Sequence, residues 1–408
     1  MLEKYIPKKF ATAMIKHVIA VTLFFPYFYA KNDNPAYADF VLANFFAILA
    51  MVFICTSWKL EFKRNAIFVT GLSILLVAYN VCATYMNVKY HHWYGEQINT
   101  TIAFLFFIVL LLVKDIHALI DSSTIKATIH MIVASNVLAI CYRVFTGYNR
   151  LRFMNDWVDL TTYPNTEKLQ EQFAWLYGHK CEYGLMLMLS VAFCVIYRKH
   201  FHNFFTYVLS LGVLFVALYL SDSYTALGSA LLIFVGQFLD YLQKAKWHHK
   251  IIAVLSISLP FLLFIKTLYI QIDNNRNLLS FGYRPLIWNT FIDLIKQNPN
   301  GINDNFGATQ YMTKFWGTGA SYANNCHNVF LNHMFRFSIP VGGIYSAIIF
   351  LIFLFAIKKQ FSFKTLFIWL ALFISMTMDS ALASLELPFL MIIIFILFFT
   401  INHHDSTR

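Results

Sequence analysis

Charge is what this sequence has least of. Only 12% of its 408 residues are Asp, Glu, Lys or Arg, about half the share expected of a soluble domain. That scarcity excludes a disordered chain, a nucleic-acid module and an ordinary cytosolic enzyme, all of which need charge on their surfaces. Paired cysteine motifs are also missing. Cys55, Cys82, Cys141, Cys181, Cys194 and Cys326 are scattered with no CxxC spacing, so neither a disulfide framework nor a zinc site is expected. No Gly-x-x-x-x-Gly-Lys-Ser/Thr loop is present to cradle nucleotide phosphates. No internal repeat is evident, which counts against the transporter folds built from repeats.

Apolar residues take the place of charge. They make up 59% of the chain, and Phe alone contributes 43 residues. A bilayer core takes about 20 apolar residues as a helix. Twelve runs approach that length, near 11–30, 37–57, 65–85, 98–113, 127–145, 181–197, 204–220, 226–242, 251–270, 336–357, 365–380 and 387–401. The first reads as a span rather than a signal peptide: it is too long, it carries Lys16 and His17, and no small-residue cleavage site follows.

The net charge of +11 would suggest a nucleic-acid partner on a soluble protein. Its placement argues otherwise. With the N-terminus cytoplasmic, the inner turns hold 18 of the 31 basic residues, in groups such as Lys59, Lys63, Arg64 and Lys244, Lys246, Lys250. The short outer turns hold only Lys31 and Lys89. This is the positive-inside pattern, so the excess charge is an orientation signal and no nucleic-acid partner is expected. The expected fold is therefore all-α: one polytopic membrane domain over 1–408, about twelve transmembrane helices, and both termini cytoplasmic. Two segments, 146–180 and 271–335, are too long for simple turns. Loops of that length are usually functional, and both fall on the outer side.

The larger loop contains a short amphipathic helix bounded by Pro285 and Pro299. Ile287, Trp288, Phe291, Ile292 and Ile295 recur on one face, as on a helix lying at the outer interface. Arg284 and Trp288, four apart, point the same way. The same spacing also suits a plain surface helix whose arginine reaches for headgroups. The loop ends in Cys326-His327-Asn328 and enters a span through Pro340, Gly342 and Gly343. His327 at a membrane–water boundary, near an outward arginine, is a candidate proton acceptor; its bland alternative is a bond to a backbone carbonyl. Asn328 and Asn332 lie one turn apart. A metal pair of His327 and His333 is not expected, because six helical residues turn them about 240° apart. The smaller loop offers Arg150, Arg152, Tyr177, His179 and Lys180. Ser221-Asp222-Ser223-Tyr224 forms a polar outer turn, and Asp379 lies near another. Singly, each suits solvation or pairing as well as catalysis. Together they gather on one side of the membrane.

Four stretches are similar to the O-antigen ligase and polysaccharide polymerase superfamily of membrane glycosyltransferases. "GYRPLIWNTFIDLIKQNPNG" (282–301) resembles that family's Arg, aromatic and Pro-x-Gly sequence. "CHNVFLNHMFRFSIPVGGIYS" (326–346) resembles its His-Asn-x-aromatic-Leu stretch and Gly-bearing span. "YLSDSYTALGSALL" (219–232) resembles its Ser-x-Ser-Arg-x-Ala turn, and "WLYGHKCEYGLMLML" (175–189) the stretch that holds a Gly and then His-Pro-Asn. The order of the motifs covers nearly the whole chain. Two departures stand out: Tyr224 replaces the family's arginine in the third stretch, and His179 is followed by Lys180 and Cys181 instead of Pro-Asn.

The resemblance implies a polymerase that joins polyprenyl-pyrophosphate-linked oligosaccharide repeat units on the outer face of the cytoplasmic membrane, the lipid carrier being undecaprenyl pyrophosphate. It implies no cofactor, metal or nucleotide, and as partners the bilayer, the lipid-linked oligosaccharide, a flippase and a chain-length regulator. Arg284 would take the pyrophosphate and His327 the acceptor proton. Trp288, Asn328, Arg150, Arg152, His179, Lys180, Ser223, Tyr224 and Asp379 are the expected substrate contacts, with Arg150, Arg152 and Lys180 as alternatives for the missing second cation. A ligase of the same superfamily, moving finished glycan to lipid A core or protein, is the near alternative. A lipid-linked oligosaccharide flippase or other transporter is the alternative of another class, disfavoured by spans poor in midplane polar groups.

Overall fold

The computed structural model describes residues 66–90, 94–112, 122–150, 173–177, 180–248, 284–301, 326–359 and 362–378, with a few isolated positions besides. Apart from turns, these residues are helical, and no strand occurs among them. The helices are α1 (Ala66–Tyr90), α2 (Tyr94–Leu112), α3 (Ser122–Thr146), α4 (Lys180–Ile196), α5 (Phe204–Leu220), α6 (Tyr224–Lys244), α7 (Arg284–Gln297), α8 (Val329–Phe337), α9 (Ile339–Lys359) and α10 (Phe363–Met378).

Three stretches among the described residues are long and apolar enough to cross a membrane: Ala66–Lys89, Ser122–Thr146 and Tyr224–Gln243. Phe204–Leu220, Ile339–Phe355 and Phe363–Met378 are shorter apolar helices. The runs expected near 11–30, 37–57, 251–270 and 387–401 lie outside the described residues, as do most of the two long loops. The run at 336–357 is not one helix. It breaks at Ser338, whose φ of 138° no helix allows, leaving α8 as a separate short helix before α9.

The chain divides into two compact units. One comprises 94–230, residue 81 and those before it, and 384 and those after it. Here α3, α4 and α5 pack on one another. From Tyr183 to Val195, every residue of α4 is buried. A helix apolar all round is a core helix, and α4 is the centre of this unit. Asn203 starts α5 by a capping box with Thr206, which satisfies two otherwise orphaned amides. Between α1 and α2, the Asn80 side-chain oxygen accepts from Gln97 (3.1 Å) and Thr101 (2.8 Å).

The other unit comprises 82–93 and 231–383. Its described core is α7, α8, α9 and α10, with α8 packed on each of the other three. On α6, Asp240 accepts from the backbone amides of Phe363 (2.7 Å) and Lys364 (3.2 Å), the first two residues of α10. A carboxylate is favoured there by the exposed amides and dipole of the helix start.

Candidate functional site

The second unit brings together four of the residues singled out from the sequence: Arg284, Trp288, His327 and Asn328. They sit where α7 begins and α8 begins, and the packing between those helices explains the placement. On α7, Ile287, Phe291, Leu294 and Ile295 are buried, an i, i+4, i+7, i+8 stripe. Cys326 and Phe335 close the same cluster, with Leu331 and Met334 against it. Phe291 and Phe335 meet edge to face, their ring centres 4.8 Å apart. Burial of side chains of this size contributes about 1.5–3 kcal/mol each. The apolar face of α7 therefore serves α8 and does not lie bare at an interface, as the sequence alone suggested. Leu294 belongs to that face and was missed, because the stripe was drawn through Trp288 and Ile292, which are only half-buried.

The Pro-x-Gly motif has a structural task. Pro299 follows α7, and its carbonyl accepts from the amide of Ile339 at 3.0 Å, so the turn is tied to the start of α9. Gly301 has φ 86°, a conformation open to glycine at little cost.

Arg284 is the first residue of α7, half-buried, and its Nε donates to the carbonyl of Met378 at the end of α10. Asp379 is the next residue and lies outside the described set. One turn along α7, the Trp288 Nε1 is buried and meets no acceptor among the described residues. A buried indole N–H of this kind usually has a partner.

His327 sits in a left-handed turn with φ 49°, before the helix rather than on it. The turn is held on both sides. The Cys326 thiol donates to the Asn328 carbonyl at 2.9 Å, and the Asn328 side chain accepts from the amides of Phe330 (3.0 Å) and Leu331 (3.1 Å), which makes it the N-cap of α8. The Asn328 oxygen is thus committed to the helix. Burial, and secondarily the charge of Arg284, lower the His327 imidazole to about 4. It is neutral at pH 7 and therefore able to accept a proton. Burial also pushes the Cys326 thiol up to about 12, so this cysteine is a packing group and not a nucleophile. His333 is fully buried and stacks on Tyr345 with ring centres 3.8 Å apart. Among the described residues, no three His, Cys, Asp or Glu are grouped to hold a metal.

The first unit holds the other described candidates. Lys180, at the start of α4, donates to Asp222 at 2.8 Å. The lysine is buried and the aspartate is partly open, so the lysine's charge is matched within the fold. Asp222 has φ 54°, tolerated by this residue type. Ser223 is buried next to Gly184: a Cβ on that glycine would fall 2.4 Å from the Ser223 Oγ. Tyr224 opens α6 and is half-buried. Arg150 is 2% exposed, among the largest fully buried side chains, and pairs its backbone with Trp175. Arg152 and His179 lie outside the described residues. Asp222 was read only as part of a polar turn, since nothing in the sequence links it to a lysine 42 positions earlier.

Compared with known proteins, the chain matches no family model and no curated protein.

Proposed function

We propose that this chain is a membrane glycosyltransferase that polymerises polyprenyl-pyrophosphate-linked oligosaccharide repeat units on the outer face of the cytoplasmic membrane. The proposal includes about twelve spans, both termini inside, and the segments 146–180 and 271–335 outside. The observation that carries it is that the apolar face of α7 packs on Cys326, so that Arg284 at the start of α7 and a neutral, half-buried His327 beside Cys326 belong to one packed core. The chemistry needs those two groups. The acceptor hydroxyl oxygen attacks the anomeric carbon, and the bond from that carbon to the pyrophosphate oxygen breaks. The hydroxyl proton passes to the imidazole of His327. The negative charge gathering on the departing pyrophosphate falls to Arg284, whose guanidinium grips phosphate oxygens by paired hydrogen bonds. Because the leaving group is already activated, nucleotide hydrolysis has no part in the reaction. Trp288 offers a ring face and an N–H to a sugar beside Arg284.

Deletion of the gene followed by glycan analysis tests the reading. A polymerase predicts a ladder collapsed to one repeat unit on its acceptor. Complementation with Arg284→Ala or His327→Ala leaves it collapsed, because a lost charge clamp or base lowers the rate about 10²–10⁴-fold. Intact lipid-linked polymer that never reaches its acceptor would mean a ligase instead. Unchanged glycan in the deletion strain would sink the assignment to this chemistry.

A further inference from the structure

We propose that the end of the first unit where α3 begins, α4 ends and α5 begins seats one anionic phospholipid, its headgroup on Arg198 and Lys199 and an acyl chain along the outer face of α5. This site is independent of the glycan chemistry and needs only that the chain lie in a bilayer.

Depth is the first support. α3 has 25 residues, about 37 Å at 1.5 Å per residue, whereas a hydrocarbon core is about 30 Å thick. The ends of α3 therefore emerge into the headgroup layer. At its start, the Ser122 hydroxyl meets His200 Nδ1 at 3.0 Å. The single 3-10 turn Arg198–His200 between α4 and α5 thus lies at headgroup level.

Charge is the second support. Arg198 and Lys199 are exposed in that turn, and Lys126 is exposed one turn into α3. None of the three meets an acidic side chain among the described residues. The acids nearest in the chain, Glu182 at the start of α4 and Asp222 after the end of α5, belong to the opposite end of these helices. A patch of one sign at this level attracts anionic lipid. Arg198 is also held in place. Its guanidinium lies over the Phe204 ring (5.5 Å to the centre) and the Tyr207 ring (5.4 Å). Tyr207 is buried and meets Phe201 edge-on at 5.2 Å, and the Asn203–Thr206 capping box fixes the first turn of α5. A guanidinium stacked on rings keeps its N–H edge for phosphate oxygens, and holding it beforehand lowers the cost of binding.

Shape is the third support. Directly beyond the cations, Phe204, Phe205, Val208 and Leu209 are exposed. The next turn brings Gly212, also exposed, where a Cβ would meet nothing within 4 Å. Large exposed side chains resume at Val216. The outer face of α5 is thus an apolar stripe with a dip at Gly212. From Phe204 to Gly212 is about 12 Å, within the half-thickness of the core, about 15 Å. A lipid whose phosphate sits on Arg198 can lay its chain past Phe205 and Val208 into the dip. The stripe alone would take any lipid and the cations alone any phosphate; in this succession they select an anionic lipid.

The test is photo-crosslinking of the full-length protein in phosphatidylcholine nanodiscs. A diazirine is carried on the acyl chain of either phosphatidylglycerol or phosphatidylcholine, and labelled positions are mapped by peptide mass spectrometry. Labelling of 204–212 should favour phosphatidylglycerol about thirtyfold, because each cation beside an anionic lipid surface contributes about fivefold. Arg198→Gln with Lys199→Gln should abolish the preference, whereas Lys244→Gln with Lys246→Gln, in another basic turn, should keep it. Equal labelling by the two lipids would overturn the proposal, and so would a preference that survives in the Arg198 and Lys199 variant. Displacement by inorganic phosphate alone would also overturn it, by marking an ion site. Absence of labelling at 204–212 would do the same, by marking a face covered by a second copy of the chain. The wild-type comparison of the two lipids decides by itself if the glutamine variant does not fold.

Discussion

Gly342 is the position where one added carbon should disturb the candidate site most cleanly. It lies in the first turns of α9, where α8 folds back across it after the break at Ser338. A Cβ built there falls 2.4 Å from the Met334 Cγ, 2.7 Å from the Met334 amide nitrogen and 2.9 Å from its Cα. The Cγ can swing aside, but the backbone atoms cannot. Restoring ordinary contact means opening 2.7 Å to 3.4 Å, a displacement of about 0.7 Å of α8, with overpacking of this kind costing about 1–3 kcal/mol. Since α8 begins directly after His327 and Asn328, the movement passes to His327, and if that histidine is the proposed proton acceptor a misplacement near 1 Å costs about 10²-fold in rate. Gly343 provides the control. It is exposed, and a Cβ there meets nothing within 4 Å, so Gly343→Ala gains the helical preference of alanine, about 0.5–1 kcal/mol, without the clash. Both variants are measured by thermal unfolding in detergent and by polymer length in the deletion strain. Gly342→Ala should unfold earlier than Gly343→Ala and make short polymer. If the two behave alike in both assays, the close approach of α8 to α9 is wrong.

Three further outcomes follow from the same packing. Asp240→Ala removes the two bonds at the start of α10 and should destabilise by about 1–3 kcal/mol, with Asp240→Asn intermediate in thermal unfolding. Asn328→Ala should cost about 1 kcal/mol as a lost N-cap and lower activity with it; Asn328→Ser should restore both, and a stable but inactive serine variant would move the Asn328 amide nitrogen into substrate binding. Stability should fall as the pH drops below about 6.5, because the unfolded chain takes up protons there that buried His327 and His333 refuse until about 4 and 3. Equal unfolding midpoints at pH 7.5 and 5 would refute the burial of both imidazoles.

The sequence made some of this architecture legible and hid the rest for physical reasons. The bounds of α5 match the apolar run at 204–220 because its ends carry local signals: a capping asparagine before it and a polar Ser-Asp-Ser turn after it. The break between α8 and α9 was not legible. Hydropathy runs on through Phe335, Phe337, Ile339 and Val341, and a backbone angle at Ser338 leaves no trace in it. Helical spacing found the apolar face of α7 but could not name what fills it, since the partner lies thirty or more residues on and packing is not periodic. Arg284 and His327 were chosen for their chemistry, and the fold brings their electrostatics together. Asn328 was chosen for the same reason, and its oxygen turned out to cap a helix, which asparagine does as readily as it binds a sugar.

The segment at 173–177 shows how scarce polarity is used inside the first unit. The Trp175 indole donates to the Ser135 hydroxyl at 3.2 Å and its ring lies against Tyr142, centres 5.8 Å apart. Ser135 is eleven residues before the end of α3 at Thr146, about 16 Å along the axis at 1.5 Å per residue. The Trp175 side chain therefore reaches back along a helix long enough to cross a membrane, while its backbone is held just past the end of that helix. Irregular backbone packed inside protein needs its polar groups satisfied, and Phe173, Ala174, Trp175, Leu176 and Tyr177 are all buried. The amides of Ala174 and Trp175 donate to the Asn149 carbonyl, which closes the stem of the 146–180 loop beside the buried Arg150. Ser135, Asn136, Tyr177, Tyr183 and Ser190 line a cavity of about 20 Å³ there, room for a single water, with the Tyr183 hydroxyl donating to Asn136 at 2.6 Å. Polar groups of α3 and α4 thus meet the 173–177 segment beside the core helix, where a hydrogen bond is electrostatically stronger than it would be in water.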